Sequence, residues 1–395
     1  MTATTTASTN TAEPGPLAKA RELREYIRSL APVIEEERQL PKELIDRLRQ
    51  SGLMHLLVPR SRGGAEEHPV TAAQVVEELS YADGSTGWCA MLAHQASSFG
   101  AAIPEEHAIE IWGNGNIVAG SARPIGKAIA TNDPEPGYII SGRWPFASGS
   151  SHADWFGAEC VVYDGDEPRK DAAGNDVIRM CHVPRSAVTI HDTWFTTGLR
   201  GTASNDFSVE GAFVPEGKTT PTVDMVPVHP WKLYRAVPLA FMNHGSHSLG
   251  IGRAAIDEAK AVAATKTGWG TDKPLREHPR MQLLIAEAVA TVESSRVFLY
   301  QSANTLWEAP DEEIGTRTLE RGRVRLATNH AATASLRAVD LLYSALGTTS
   351  IFTKSPLERQ FRDVHTANAH VMIGALSNEA AGRVELGLDP AFPFF

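Results

Sequence analysis

The chain has 395 residues, 42% of them hydrophobic and 21% charged, with a formal net charge of -10 and a pI near 5.8. That length buries a large core in two or three domains or layers, and the acidic balance excludes a nucleic-acid or anionic-membrane surface, which needs a basic footprint. No apolar run is long enough to cross a bilayer, and the three cysteines (Cys89, Cys160, Cys181) contain no CxxC pair, so neither a disulfide framework nor zinc is indicated and a reducing cytoplasm is expected.

Residues 1–15 are Thr/Ala/Ser-rich, lack the basic and apolar regions of a signal peptide, and read as a disordered tail. Residues 16–116 read as a helical domain. Leu23, Ile27, Leu30 and Ile34 recur at helical spacing. A second helix starts at Pro41 and closes at Gly52. Val75–Leu79 and Trp88–Phe99 have the look of buried helices. Residues 117–235 change character: short β-branched or aromatic runs (138–144, 155–163, 177–183, 188–194, 207–214) alternate with Gly, Pro, Asn and Asp turns, which predicts a small antiparallel sheet or barrel. Residues 236–395 return to helical spacing, with Ile285, Val289, Val292 and Leu299 in one helix and Leu336, Val339 and Leu346 in the next. Gly347 and Pro356 bracket a loop before the final helix. The expected class is α+β, in the order helices, sheet, helical bundle.

Several motifs have plain readings. Gly250-Ile-Gly-Arg-Ala-Ala255 has the form GxGxxA, but no buried strand precedes it, so its small residues serve close helix packing rather than a dinucleotide. His244 and His247 share a helix face at i, i+3. Without HExxH or a carboxylate cluster they read as pocket-lining or capping histidines, and no metal is expected. The Gly/Ser turn 146–152 follows a strand; it is either an ordinary β-turn or a loop offering N–H groups and a hydroxyl to a planar heterocycle.

Five local texts occur in order along the chain: Glu77-Glu-Leu-Ser80 running into Gly87-Trp88; Ser141-Gly-Arg-Trp-Pro-Phe-Ala-Ser148-Gly; Gly198-Leu-Arg-Gly-Thr202-Ala-Ser204-Asn-Asp206; Gly250 to Ala259; and Ser355-Pro-Leu-Glu-Arg359 leading to Arg362-Asp363. Together they resemble the reduced-flavin-dependent, two-component monooxygenases of the acyl-CoA dehydrogenase superfamily, over residues 16–388. The resemblance implies an N-terminal helical domain, a middle β domain and a C-terminal four-helix bundle. It also implies an oxygenase that takes FADH2 or FMNH2 from a separate NAD(P)H-flavin reductase and reacts it with O2. The resulting C4a-hydroperoxyflavin would hydroxylate a phenol- or indole-like aromatic. N- or S-oxygenation, or desaturation of an acyl thioester by tightly bound FAD, stays open on the same scaffold.

The resemblance further implies site residues. Ser148 falls beside flavin N5, and His370, on the family's last active-site helix after Arg362-Asp363, falls where the family holds the peroxide. His94 and Ser121 fall on the substrate side, with Trp88, Trp112 and Phe146 at an aromatic pocket mouth and His244 lining it. Phe146, Ser148, Gly149 and Ser150, with Gly347 and Thr348, would take the flavin. Arg280 and Gln282 would reach it from a neighbouring subunit, which implies a homodimer or homotetramer. One departure stands out. Nine places after Arg362, where the dehydrogenases commonly carry the glutamate that abstracts the α-proton, this chain has Val371, and residues 237–253 contain no Asp or Glu at the superfamily's second base position.

Overall fold

In the computed structural model, residues 14–222, 225–268, 270–392 and 395 are described; the tail expected over residues 1–15 lies outside them except for its last two residues. Five helices come first: α1 (Pro16–Glu37), α2 (Lys42–Gln50), α3 (Pro69–Ala82), α4 (Gly84–Ala96) and α5 (Glu105–Trp112). The apolar stripe of α1 behaves as its spacing dictates: Ile27 and Ile34 are fully buried, and Leu23 and Leu30 pack half-buried on the same core. α2 begins directly after Pro41, and Gly52 takes the left-handed conformation (φ 75°) just beyond its end.

Eight strands follow: β1 (Val118–Thr131), β2 (Gly137–Ala147), β3 (Trp155–Asp164), β4 (Glu167–Pro168), β5 (Ile178–Pro184), β6 (Thr189–His191), β7 (Asn205–Pro215) and β8 (Thr219–Pro221). They form one sheet in the order β6-β7-β2-β1-β3-β5-β8, with β4 on β3. The expectation of a purely antiparallel sheet needs correcting, because β1 and β3 run parallel. β1 itself was hidden in the sequence: exposed Ala122-Arg-Pro-Ile125 interrupt its alternation where the register with β3 slips between Ser121 and Gly126. The sheet core is built on Trp144, which stacks on Phe207 at 5.1 Å and donates its indole N–H to Glu159 O at 2.7 Å.

The chain then returns to helices: α6 (Val237–Phe241), α7 (Asn243–Thr265), α8 (Pro279–Trp307), α9 (Thr318–Leu346), α10 (Pro356–Asn368) and α11 (Ala375–Glu385). α7 to α10 pack together, with α11 against α9. The GxGxxA segment lies inside α7, and a side chain on Gly250 would stand 2.3 Å from Glu77 O, so the glycine lets α7 touch the backbone of α3. Gly87 does the same between α4 and α3, where a Cβ would strike the Ser80 hydroxyl at 1.9 Å. These approaches carry Trp88 into a small cluster with Val76, Met91, Leu199 and Ala367, at the meeting point of α3, α4, α7, α10 and the loop before β7.

Candidate active site

Ser148 is the first residue after β2. Trp144 anchors the strand, and two left-handed residues, Phe146 (φ 67°) and Gly149 (φ 79°), turn the chain sharply around it. The backbone N–H groups of Ser148, Gly149 and Ser150 donate to Phe146 O, Thr202 O and Ala147 O at 2.9, 2.7 and 3.0 Å. The expectation that this loop offers N–H groups to a heterocycle is therefore corrected: those donors are used inside the fold. What remains is the Ser148 hydroxyl, which accepts from Trp88 Nε1 at 3.1 Å and meets Ser204 Oγ at 2.6 Å.

Trp88 sits one turn into α4, whose N-terminus is capped by Asp83: the carboxylate accepts from the Thr86 N–H at 2.8 Å. Three imidazoles stand edge-on around the indole. Ring centroids lie 5.1 Å away for His247, 5.5 Å for His244 and 5.6 Å for His370, and His244 and His370 stack on one another at 4.5 Å. Burial drives all three toward the neutral form. His247 and His370 are lowered to about 4, and His244 falls well below the usual range, with His370, His247 and Arg325 adding to the effect of burial.

Neutral imidazoles carry one donor and one acceptor, and the partners fix which is which. His370 Nδ1 accepts from the Met372 N–H at 3.2 Å, so its proton resides on Nε2. His247 Nε2 faces Gly84 O at 2.8 Å and must be the donor there, leaving Nδ1 as a lone-pair site. His244 is wholly buried, yet both of its ring nitrogens lack a partner. A buried polar ring without partners is costly, on the order of 1–3 kcal/mol, unless an occupant of the site completes it.

His370 departs from its expected placement on the last helix. α10 ends at Asn368, and His370 lies in the turn beyond it, held by His370 N–H donating to Ala367 O and Ile373 N–H donating to His370 O. Val371 is 65% exposed and lines a cavity of about 290 Å³ whose walls do not include His370 or Trp88. The nine-residue register thus ends on a residue outside the cluster. His365, one turn back, bonds Asp340 at 2.8 Å on the exposed side of α10.

The remaining expected residues scatter. His94 is fully buried and lowered to about 4 by burial; its Nε2 donates to Leu53 O at 2.7 Å, while Nδ1 has no partner. Ser121 is buried at the β1 bulge. Trp112, expected at a pocket mouth, is instead core: it is 2% exposed among Val58, Ile103, Val118 and Trp155, with His182 edge-on at 5.2 Å. Phe146 is 56% exposed and leans on Trp194 at 6.3 Å. Ser150 turns its hydroxyl inward to Ala203 O at 2.7 Å. Arg280, Gln282, Gly347 and Thr348 lie exposed at the start of α8 and the end of α9, and none of them shares a hydrogen bond or ring contact with Ser148, Trp88 or His370 within this chain.

Three residues that sequence reasoning quoted without a role belong to the cluster. Thr202 and Ser204 continue the hydroxyl row behind Ser148, their oxygens 2.7 Å apart. Asp363 Oδ1 accepts from the Leu199 N–H at 2.6 Å and so ties α10 to the loop that carries them. The signal available was the density of small hydroxyl residues between Gly198 and Ser204.

The acyl-CoA dehydrogenase N-terminal domain model matches residues 18–105 and the acyl-CoA dehydrogenase C-terminal domain model residues 242–374. The chain is 31% identical to an indole-3-acetate monooxygenase of Pseudomonas putida over 363 residues, covering 90% of each chain. It is 27% identical to the oxygenase component of an FADH(2)-dependent resorcinol hydroxylase from a Rhizobium species, covering 93% of this chain and 92% of the relative. Among solved structures, XiaF from a Streptomyces species, in complex with FADH2 and glycerol, superposes with a TM-score of 0.83 at 24% identity, covering 96% of each chain. At those identities the structural likeness speaks for the fold.

Proposed function

This chain belongs to the flavin-dependent monooxygenases of the acyl-CoA dehydrogenase superfamily, and from that membership we propose that it hydroxylates a small phenol- or indole-like aromatic with FADH2 delivered by a separate reductase. The observation that carries the reading is the trio of neutral histidines around Trp88, with the Ser148 hydroxyl at the indole N–H. A reduced isoalloxazine suits these residues: Ser148 offers an acceptor for N5–H, His370 offers an Nε2–H donor, and the unpartnered His244 nitrogens await a polar group.

When bound, the reduced flavin supplies the electrons that activate O2. The protein's part is placement and proton control. His370 Nε2–H would donate to oxygen held beside the bound flavin, and its depressed pKa leaves it neutral, with that single ring proton, at neutral pH. His244, through either nitrogen, orients the hydroxyl or ring N–H of the substrate. Trp88 and the imidazoles fill the space in which water would otherwise release hydrogen peroxide. A dehydrogenase reading is disfavoured by exposed Val371 and by the absence of Asp or Glu in residues 237–253.

Arg280, Gln282, Gly347 and Thr348 fit the reading if they act across a subunit boundary. Exposed Leu283 and Val297 on α8, with Ile351 and Phe352 beyond α9, offer apolar surface for such a homo-oligomer. No helix among the described residues is long and apolar enough to cross a membrane, and the three buried free thiols suit a cytoplasmic enzyme. Turnover of a phenol and indole panel with FADH2 and O2, followed by product mass, tests the proposal. Hydroxylated ring is the expected product; oxidation at a side-chain nitrogen or sulfur would redirect it, and bleaching of tightly bound FAD by an acyl thioester would refute it.

A further inference from the structure

The hydroxyl row behind Ser148 has only one consistent direction. Trp88 Nε1 can only donate, and it donates to Ser148 Oγ at 3.1 Å. At the other end Leu199 O can only accept, and Thr202 Oγ1 donates to it at 2.9 Å. Thr202 has a single hydroxyl proton, so its 2.7 Å contact with Ser204 must be served by the Ser204 proton. Ser204 likewise has one proton, so its 2.6 Å contact with Ser148 must be served by the Ser148 proton. Every contact is satisfied in this arrangement and in no other. The far end is held firmly. Leu199 and Ala203 both take the left-handed conformation (φ 49° and 44°), which non-glycine residues adopt at a cost, and Asp363 fixes the Leu199 N–H.

From this polarity we propose that the Trp88–Ser148–Ser204–Thr202 row makes the site selective for the reduced over the oxidised flavin. Ser148 spends its proton on Ser204 and turns a lone pair to the pocket. The N5 of a reduced isoalloxazine is an N–H donor and matches it; the N5 of the oxidised ring is an acceptor and meets lone pair with lone pair. Thr202 and Ser204 touch no ligand and act as positioning residues. The inference rests on the proposal that Ser148 faces N5.

Anaerobic fluorescence titration with reduced FAD and aerobic titration with oxidised FAD give the two dissociation constants. Wild type is expected to bind the reduced form more tightly. In Thr202→Val the Leu199 carbonyl keeps Trp194 Nε1 as a donor at 2.9 Å, while Ser204 becomes free to donate to Ser148. The Ser148 proton is then available to oxidised N5, and the preference should shrink by about 2- to 10-fold, the worth of one hydrogen bond, through tighter binding of the oxidised form. Ser204→Ala should act alike, Thr202→Ser should restore the wild-type ratio, and Ser148→Ala should weaken reduced FAD alone. An unchanged ratio in both Thr202→Val and Ser204→Ala overturns the inference, as does loss of the ratio in Thr202→Ser. If wild type binds neither form, the flavin-site reading itself fails, a result distinct from an unaltered ratio.

Discussion

Two buried polar clusters lie on either side of α3 and differ in one respect. On one side Glu77, 1% exposed, receives the guanidinium of Arg253, Arg296 Nε at 2.8 Å and the Tyr300 hydroxyl, while Glu78 receives Arg24 and Arg253. Burial opposes the charge of Glu78, but Arg24 and Arg253 outweigh it and lower its pKa. Each carboxylate is paired, and α1, α3, α7 and α8 are joined through them. On the other side, around Trp88, the imidazoles are neutral, and His244 and His247 leave ring nitrogens unpaired. A satisfied buried network holds helices together; an unsatisfied one holds a place for something else. The contrast separates architecture from chemistry without reference to either sequence motif.

Breaking the first cluster should cost the most stability. Glu77→Ala strips Arg296 of its carboxylate and Tyr300 of its acceptor and leaves Arg253 with Glu78 alone, and about 3–5 kcal/mol of folding stability should be lost in chemical denaturation. Breaking the second should cost function instead. In His370→Ala the midpoint should hardly move, yet product formed per reduced flavin oxidised should fall by about 100-fold, the scale of a positioned proton donor, with hydrogen peroxide appearing in its place. A large loss of stability without uncoupling would merge the two clusters into one kind.

Acid sharpens the same contrast. His94, His247 and His370 have folded pKa values lowered to about 4 by burial against 6.5 when exposed, so between those limits the unfolded chain binds more protons and stability must fall as pH drops. Asp363 works the other way. Burial and the neighbouring Asp83 push it up to about 7, so its contribution is present below the ordinary carboxylate pKa and is lost as pH rises through about 7. His152 and His182, lowered to about 3 and about 4 by burial, act with these histidines against Asp363, so thermal melts should shift downward from pH 6.5 to 4.5. The smallest effect is expected from His244→Leu. Replacing an unpaired buried ring by an apolar side chain should leave stability within about 1 kcal/mol or raise it, while the KM for the aromatic substrate rises and flavin affinity holds.

The order helices, sheet, helices was legible because apolar residues recur at helical spacing in α1, α8 and α9 and β-branched or aromatic runs mark β2, β3, β5 and β7. β1 was not, because Pro124 and its exposed neighbours fall in a bulge that period-two reasoning cannot see. The resemblance pointed to Ser148 and His370, and the chain brings both against Trp88. His370 was set on a helix that in fact stops two residues earlier, since a helix end is decided by turn hydrogen bonds rather than by composition. Trp112 misled because an indole looks the same in a core and in a pocket mouth. The Thr202–Ser204 pair went unassigned, and the tautomer of His247 unread, because their meaning lies in which protons face which acceptors, a property of three dimensions.

The proposed activity of this chain is transfer of oxygen from O2 to an aromatic substrate through a reduced flavin. It is tested most directly by a single turnover of FADH2-loaded protein with an indole or phenol under ¹⁸O2. One ¹⁸O atom in the hydroxylated product is the result predicted here. Oxygen drawn from water, or bound oxidised FAD bleached by an acyl thioester with no oxygenated product, would contradict it.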